Sequence, residues 1–226
     1  MKLHLYEEVL LLALDDEKGI ANLGGWHTSA MGGAIFAELT LMGRLAVADD
    51  KKRTVTLRNP APTGDHILDE GLAKVRDDRK ARGAQHWAST FANLKDLQKR
   101  AARQLVDRGI LSEGEDKVLL IFKRTIFPEV DGGPEKELRE RLRRAIFTDS
   151  EDVGAETIII VALTDAADML TSLFDKKELK ARKARIKGLV SGELAGQATR
   201  EAVEAIRTAL LVTTVIVPVV ISSTTT

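Results

Sequence analysis

One stretch limits what this chain can fold into: residues 26–45, WHTSAMGGAIFAELTLMGRL. Met31, Ile35, Leu39 and Met42 recur at helical spacing, and Ala34 and Phe36 widen the apolar stripe. Such a helix belongs at the buried centre of a mostly helical domain. Thr28 and Ser29 carry hydroxyls suited to capping its start, and Gly43 suits the left-handed residue after a last turn. Gly32 and Gly33 sit in the first turns, where each costs about 1 kcal/mol against alanine. Something there needs a bare backbone. It is either a neighbouring helix in close contact or a ligand approaching the positive end of the helix. Trp26, at the entrance, is a core plug or an exposed anchor for a membrane or ligand.

Composition narrows the classes. The 226 residues are 44% hydrophobic and 30% charged, enough for a real core and a soluble surface. Formal net charge is zero, so no global field draws in nucleic acid or a membrane, and anion binding has to come from a local patch. No nucleic-acid partner is expected. The absence of cysteine removes disulfides, thiolate metal sites and thiol nucleophiles. The N-terminal MKLHLYEEVLLLALDD reads as an amphipathic helix rather than a signal peptide. The longest apolar run, 209–221, is shorter than the ~20 residues of a bilayer span and contains Pro218.

In chain order, the spacing predicts a helix over 3–14 and then the central helix. A β-hairpin follows, with Leu45 and Val47 facing Val55 and Leu57 across a charged tip. A helix after Pro62 uses Thr63 as cap and Asp65 in its first turn. Residues 84–107 read as helical, with Trp87, Phe91, Leu94, Leu97, Ala101 and Leu105 inward. Lys95, Lys99, Arg100 and Arg103 form a basic outer face. A second hairpin spans 110–127, with SEGEDK as its turn and the apolar Val118–Phe122 as its return strand. Helices follow over 134–147, over 156–174, over 176–190 and from 193 or 198 onward, before a polar tail at 222–226. The fold expected is mainly α: a compact single helical domain over 1–221 with a central buried helix and two β-hairpins.

Catalytic patterns are missing. No serine stands in a nucleophile elbow. His4, His27, His66 and His86 lack metal-ligand spacing, and no phosphate loop or dinucleotide fingerprint occurs. Asp165 and Asp168 on an apolar helix are candidates for a buried acid, more simply read as a cap or ion-pair partner. Neither an enzyme nor a cofactor is expected.

Five stretches together resemble the Golgi phosphoprotein 3 family: EEVLLLALDDEKG at 7–19, AELTLMGRL at 37–45, APTGDHILDEGL at 61–72, LVDRGIL at 105–111 and REAVEAIRTAL at 200–210. They span nearly the whole chain in the family's order. The resemblance implies a non-catalytic, peripheral membrane adaptor on the cytoplasmic side of a membrane. Its partner would be an anionic phospholipid headgroup such as phosphatidylinositol 4-phosphate. The family's pocket uses a tryptophan and an arginine at the start of the central helix, plus two arginines on the helix before LVDRGIL. These carry over to Trp26, Gly32, Lys95 and Gln98, with Arg100 shared nearby. Only Lys95 keeps a charge among the three arginine positions, and lysine lacks the planar fork. A thinned clamp implies weaker or altered anion preference. The resemblance also implicates the second hairpin (Leu111, Val118, Leu119, Leu120 and Phe122) in self-association as a homo-oligomer and in membrane contact. A protein-interaction scaffold that has lost headgroup specificity is the competing reading. The missing N-terminal extension and the degenerate pocket point to a prokaryotic member.

Overall fold

A computed structural model describes residues 2–15, 19, 26–118, 122–194 and 203. Its centre is α2 (Trp26–Leu41), which packs against α1 (Leu5–Ala13), α4 (Ala84–Ala92), α7 (Ala155–Ala166) and α3 (His66–Asp77). Met31, Ala34, Ile35, Phe36 and Leu39 are fully buried. The expected Met42 is not part of that core. It lies past the helix end and is exposed, because α2 closes at Leu41 with a left-handed Gly43. There the Arg44 N–H bonds the Leu39 carbonyl and the Gly43 N–H bonds that of Thr40, a Schellman closure. The start also differs. α2 begins at Trp26, so Thr28 and Ser29 lie within its first turn rather than capping it.

Gly32 stands against α4. A Cβ built there would lie 2.4 Å from the Ala88 carbonyl oxygen and 2.5 Å from the Ala92 nitrogen. Its missing side chain is what lets the two backbones cross so closely, and the space is filled by helix.

α1 is buried all round, including Glu7 and Glu8, so it is a core helix rather than an amphipathic one. The first hairpin forms from the expected residues: β1 (Leu45–Val47) pairs with β2 (Val55–Leu57) through Leu45↔Leu57 and Val47↔Val55. α3 is capped by Asp65, whose carboxylate accepts from the N–H groups of Ile67 and Leu68. Thr63, the expected cap, instead braces that turn by donating its N–H and hydroxyl to Asp69.

Three predicted long helices are interrupted. Residues 84–107 split into α4 and α5 (Leu97–Asp107) at a turn where Asp96 takes a left-handed φ of 52°. The inward faces survive the break, with Trp87, Phe91, Leu94, Leu97, Ala101 and Leu105 all buried. Residues 156–174 split at left-handed Asp168 into α7 and α8 (Leu170–Leu173). Residues 176–190 split at Arg182 into α9 (Lys176–Ala181) and α10 (Lys183–Val190). Periodicity misses these breaks because each keeps the apolar stripe facing one core.

The second hairpin is shifted from its expected position. β3 (Gly114–Val118) pairs with β4 (Phe122–Ile126), so most of SEGEDK is strand rather than turn. Cross-strand pairing explains it: Asp116 faces Arg124, and their side chains meet at 2.8 Å. α6 (Gly133–Phe147) starts with Pro134 in its first turn, as predicted. The last predicted helix lies outside the described residues, apart from helical, buried Val203.

Candidate functional site

Two polar regions gather around α5. The first is internal. Asp65, besides capping α3, accepts from the Tyr6 hydroxyl at 2.7 Å and from Gln104 Nε2 at 2.5 Å. Burial works against the Asp65 carboxylate, but these donors and the Leu68 N–H outweigh it and hold its pKa below the usual range. His4 stacks on Tyr6 and donates Nδ1–H to Glu38 at 2.6 Å. That bond raises the imidazole pKa despite its partial burial. Glu38 also accepts from the Leu5 N–H. Glu7 meets Arg108 at 3.0 Å and Glu8 meets Arg141 at 2.5 Å, while burial pushes both carboxyls up. This set ties α1, α2, α3, α5 and α6 together.

The second region is open. A cleft of about 520 Å³ lies where the first turn of α2 meets the first turn of α5 and strand β4. Thr28, Gln98, Lys99 and Arg124 supply its polar wall, and Leu94, Leu97 and Phe127 its apolar one. Asp96 adds one opposing charge. The two helix starts are linked by a 3.2 Å hydrogen bond between His27 Nε2 and Gln98 Oε1. Because Oε1 accepts, Nε2 carries the hydrogen. His27 is buried and its pKa is lowered by that burial, and Nδ1 has no partner among the described residues. The imidazole braces the two helix starts. Among the described residues Arg124 is held by the exposed Asp116 pair, which is worth little and easily exchanged.

The structure brings some of the sequence-derived residues together and separates others. Gln98 lines the cleft, and Trp26 opens α2 two residues before Thr28 with 38% of its surface exposed. Lys95 lies exposed in the turn before α5. Arg100 points elsewhere, to Glu70 of α3 at 2.5 Å, and Gly32 is enclosed by α4. Lys99 was visible as part of the basic face. Thr28 and Arg124 were missed as site residues, because only the docking of the second hairpin brings them near α5. For the hairpin set, Leu111 is buried and bridged to Glu129. Val118 and Phe122 are a cross-strand pair, and Leu119 and Leu120 lie outside the described residues.

Among the described residues there is no group of three or more His, Asp or Glu side chains able to hold a metal, and no helix is long and apolar enough to cross a membrane. Residues 5–206 match the family model described as Golgi phosphoprotein 3 (GPP34). The chain belongs to this family. Among curated relatives, vacuolar protein sorting-associated protein 74 of Eremothecium gossypii is 28% identical over 159 residues, covering 62% of this chain and 48% of that protein. The chain thus spans about half the length of the relative it matches. The helical core, the central α2 and the two hairpins are the framework in which this GPP34 member sets its cleft.

Proposed function

We propose that this GPP34 protein is a non-catalytic, peripheral membrane adaptor on the cytoplasmic face of a membrane. It holds an anionic phospholipid headgroup, of the phosphatidylinositol 4-phosphate type, in the cleft between α2, α5 and β4. The observation that carries the reading is the meeting of two helix starts with Lys99 and Arg124 around one concavity. Helix starts present N–H groups and a positive dipole end to an anion. Lys99 and Arg124 add charge, and exposed Trp26 sits where an interfacial aromatic is useful. Asp96 weakens the field. This clamp is modest, in keeping with weak headgroup preference.

Flotation with vesicles of neutral lipid, with and without phosphatidylinositol 4-phosphate, tests the reading. Recovery should rise with the phosphoinositide and fall about tenfold or more in a Lys99→Glu/Arg124→Glu variant, since each charge-assisted contact is worth roughly 1.5–3 kcal/mol. Equal recovery from both vesicle types would remove headgroup recognition.

A second reading concerns the other partner. Among the described residues β3 and β4 pair with each other as a two-stranded sheet, and an outer strand edge can template pairing with a second copy. Sedimentation of the full chain at rising concentration tests it, and a strictly monomeric protein would exclude it.

A further inference from the structure

On the far side of α7 lies a larger groove, about 920 Å³, walled by α8, α9 and α10. Its floor is apolar: Leu170, Leu179, Ile186 and Val190. Lys176, Lys180, Lys183 and Lys187 line the same groove, spaced by four, three and four residues. Lys176 and Lys180 on α9 and Lys183 and Lys187 on α10 form a cationic rail beside an apolar strip. Lys183 feels the Asp165 carboxylate. Lys176, Lys180 and Lys187 form no ion pair among the described residues. Three unpaired ammonium groups along one apolar recess are not needed by the fold.

We propose that this groove binds a single-chain anionic amphiphile, a long-chain fatty acid, with its chain along the apolar floor and its carboxylate on the lysine rail. Three features choose this occupant. Leu179 and Ile186 are buried beneath the rim, at 8% and 6% exposure. A flexible acyl chain reaches them, whereas a helix about 10–12 Å across meets the lysines first. Leu179, Ile186 and Val190 recur seven and four residues apart on α9 and α10, a spacing that suits one chain laid along them. Asp165, Asp168 and Glu193 also line the groove and repel a doubly charged phosphate more than a singly charged carboxylate. The assignment is independent of the headgroup cleft.

The test uses the full chain without vesicles, titrated with cis-parinaric acid below its micelle concentration and followed by fluorescence. Saturable binding of one probe per chain is expected. Palmitate should displace it and hexadecanol should not. A Lys180→Glu/Lys187→Glu variant, altering exposed side chains only, should bind about tenfold or more weakly, and Lys99→Glu/Arg124→Glu should bind as the natural chain does. Absence of saturable binding, equal displacement by the alcohol, or unchanged affinity in the Lys180→Glu/Lys187→Glu variant would overturn the proposal. Displacement by an acidic amphipathic peptide but not by palmitate would overturn it in favour of a peptide groove.

Discussion

Helix α5 runs between two polar regions that use the same kinds of side chain differently. Late in the helix, Gln104 is locked to Asp65 beside Tyr6, in a set whose members bond one another across several elements. At its start, Gln98 and Lys99 face an open cleft, braced by a single bond to His27. In the enclosed set, each contact replaces water lost on burial and removing one leaves its partners unpaired. In the open set the side chains remain hydrated, and exchanging them costs the fold little. Enclosure and satisfaction mark a structural use, whereas exposed groups converging on a concavity are free for a ligand.

The comparison breaks most readily at Asp65. Asp65→Ala removes a helix cap and strands Tyr6 and Gln104, so urea unfolding should show a loss of about 3 kcal/mol or more. A loss below about 1 kcal/mol would mean the hub is no tighter than a surface cluster. Gly32→Ala should cost about 1–3 kcal/mol through overpacking, although alanine is the better helix former. Its added Cβ would meet the Ala88 carbonyl oxygen and the nitrogen and Cβ of Ala92 on α4, none of which is a flexible side-chain end. Unchanged or higher stability would return this glycine to the list of ligand-approach positions.

The next effect is sharpened by pH. Glu38 raises His4 above its ordinary 6.5, so the pair's stabilisation is full below that value and fades as pH rises through the folded value. Glu7 and Glu8, pushed up from 4.5 by burial, act in the same direction from a lower starting pH. Asp65, held down, acts oppositely and loses its contribution as pH falls below 3.8. His4→Gln should therefore cost more stability at about pH 6 than at about pH 9. A cost that is flat across that range would show that His4 acts by packing on Tyr6 alone. The smallest effect is expected at Arg100. Its half-exposed pair with Glu70 should be worth under about 1 kcal/mol. Arg100→Ala should leave vesicle recovery unchanged, because the side chain is turned from the cleft.

Much of this architecture is legible in the sequence. The stripe of 26–45 places α2 at the centre, and the alternation around the charged tip places the first hairpin's strands. The second hairpin shows why the rest is not. Its strand GEDKV carries no apolar alternation, and it holds its place through partners such as Arg124 eight residues away. For the site, the same limit applies. Gln98 and Lys99 lie on a recognisable basic helix, but whether a cation there faces Thr28 or Glu70 depends on a turn at Asp96 that an unbroken apolar period conceals.

The most direct measurement is an amide spectrum of the isotopically labelled chain titrated with the soluble headgroup inositol 1,4-bisphosphate. The account predicts saturable shifts confined to residues around 26–29, 95–99 and 124–125, with the Tyr6–Asp65–Gln104 set and the lysine rail of α9 and α10 unmoved. Shifts centred on the lysine rail, or none at all at concentrations that saturate a phosphoinositide-binding control protein, would contradict it.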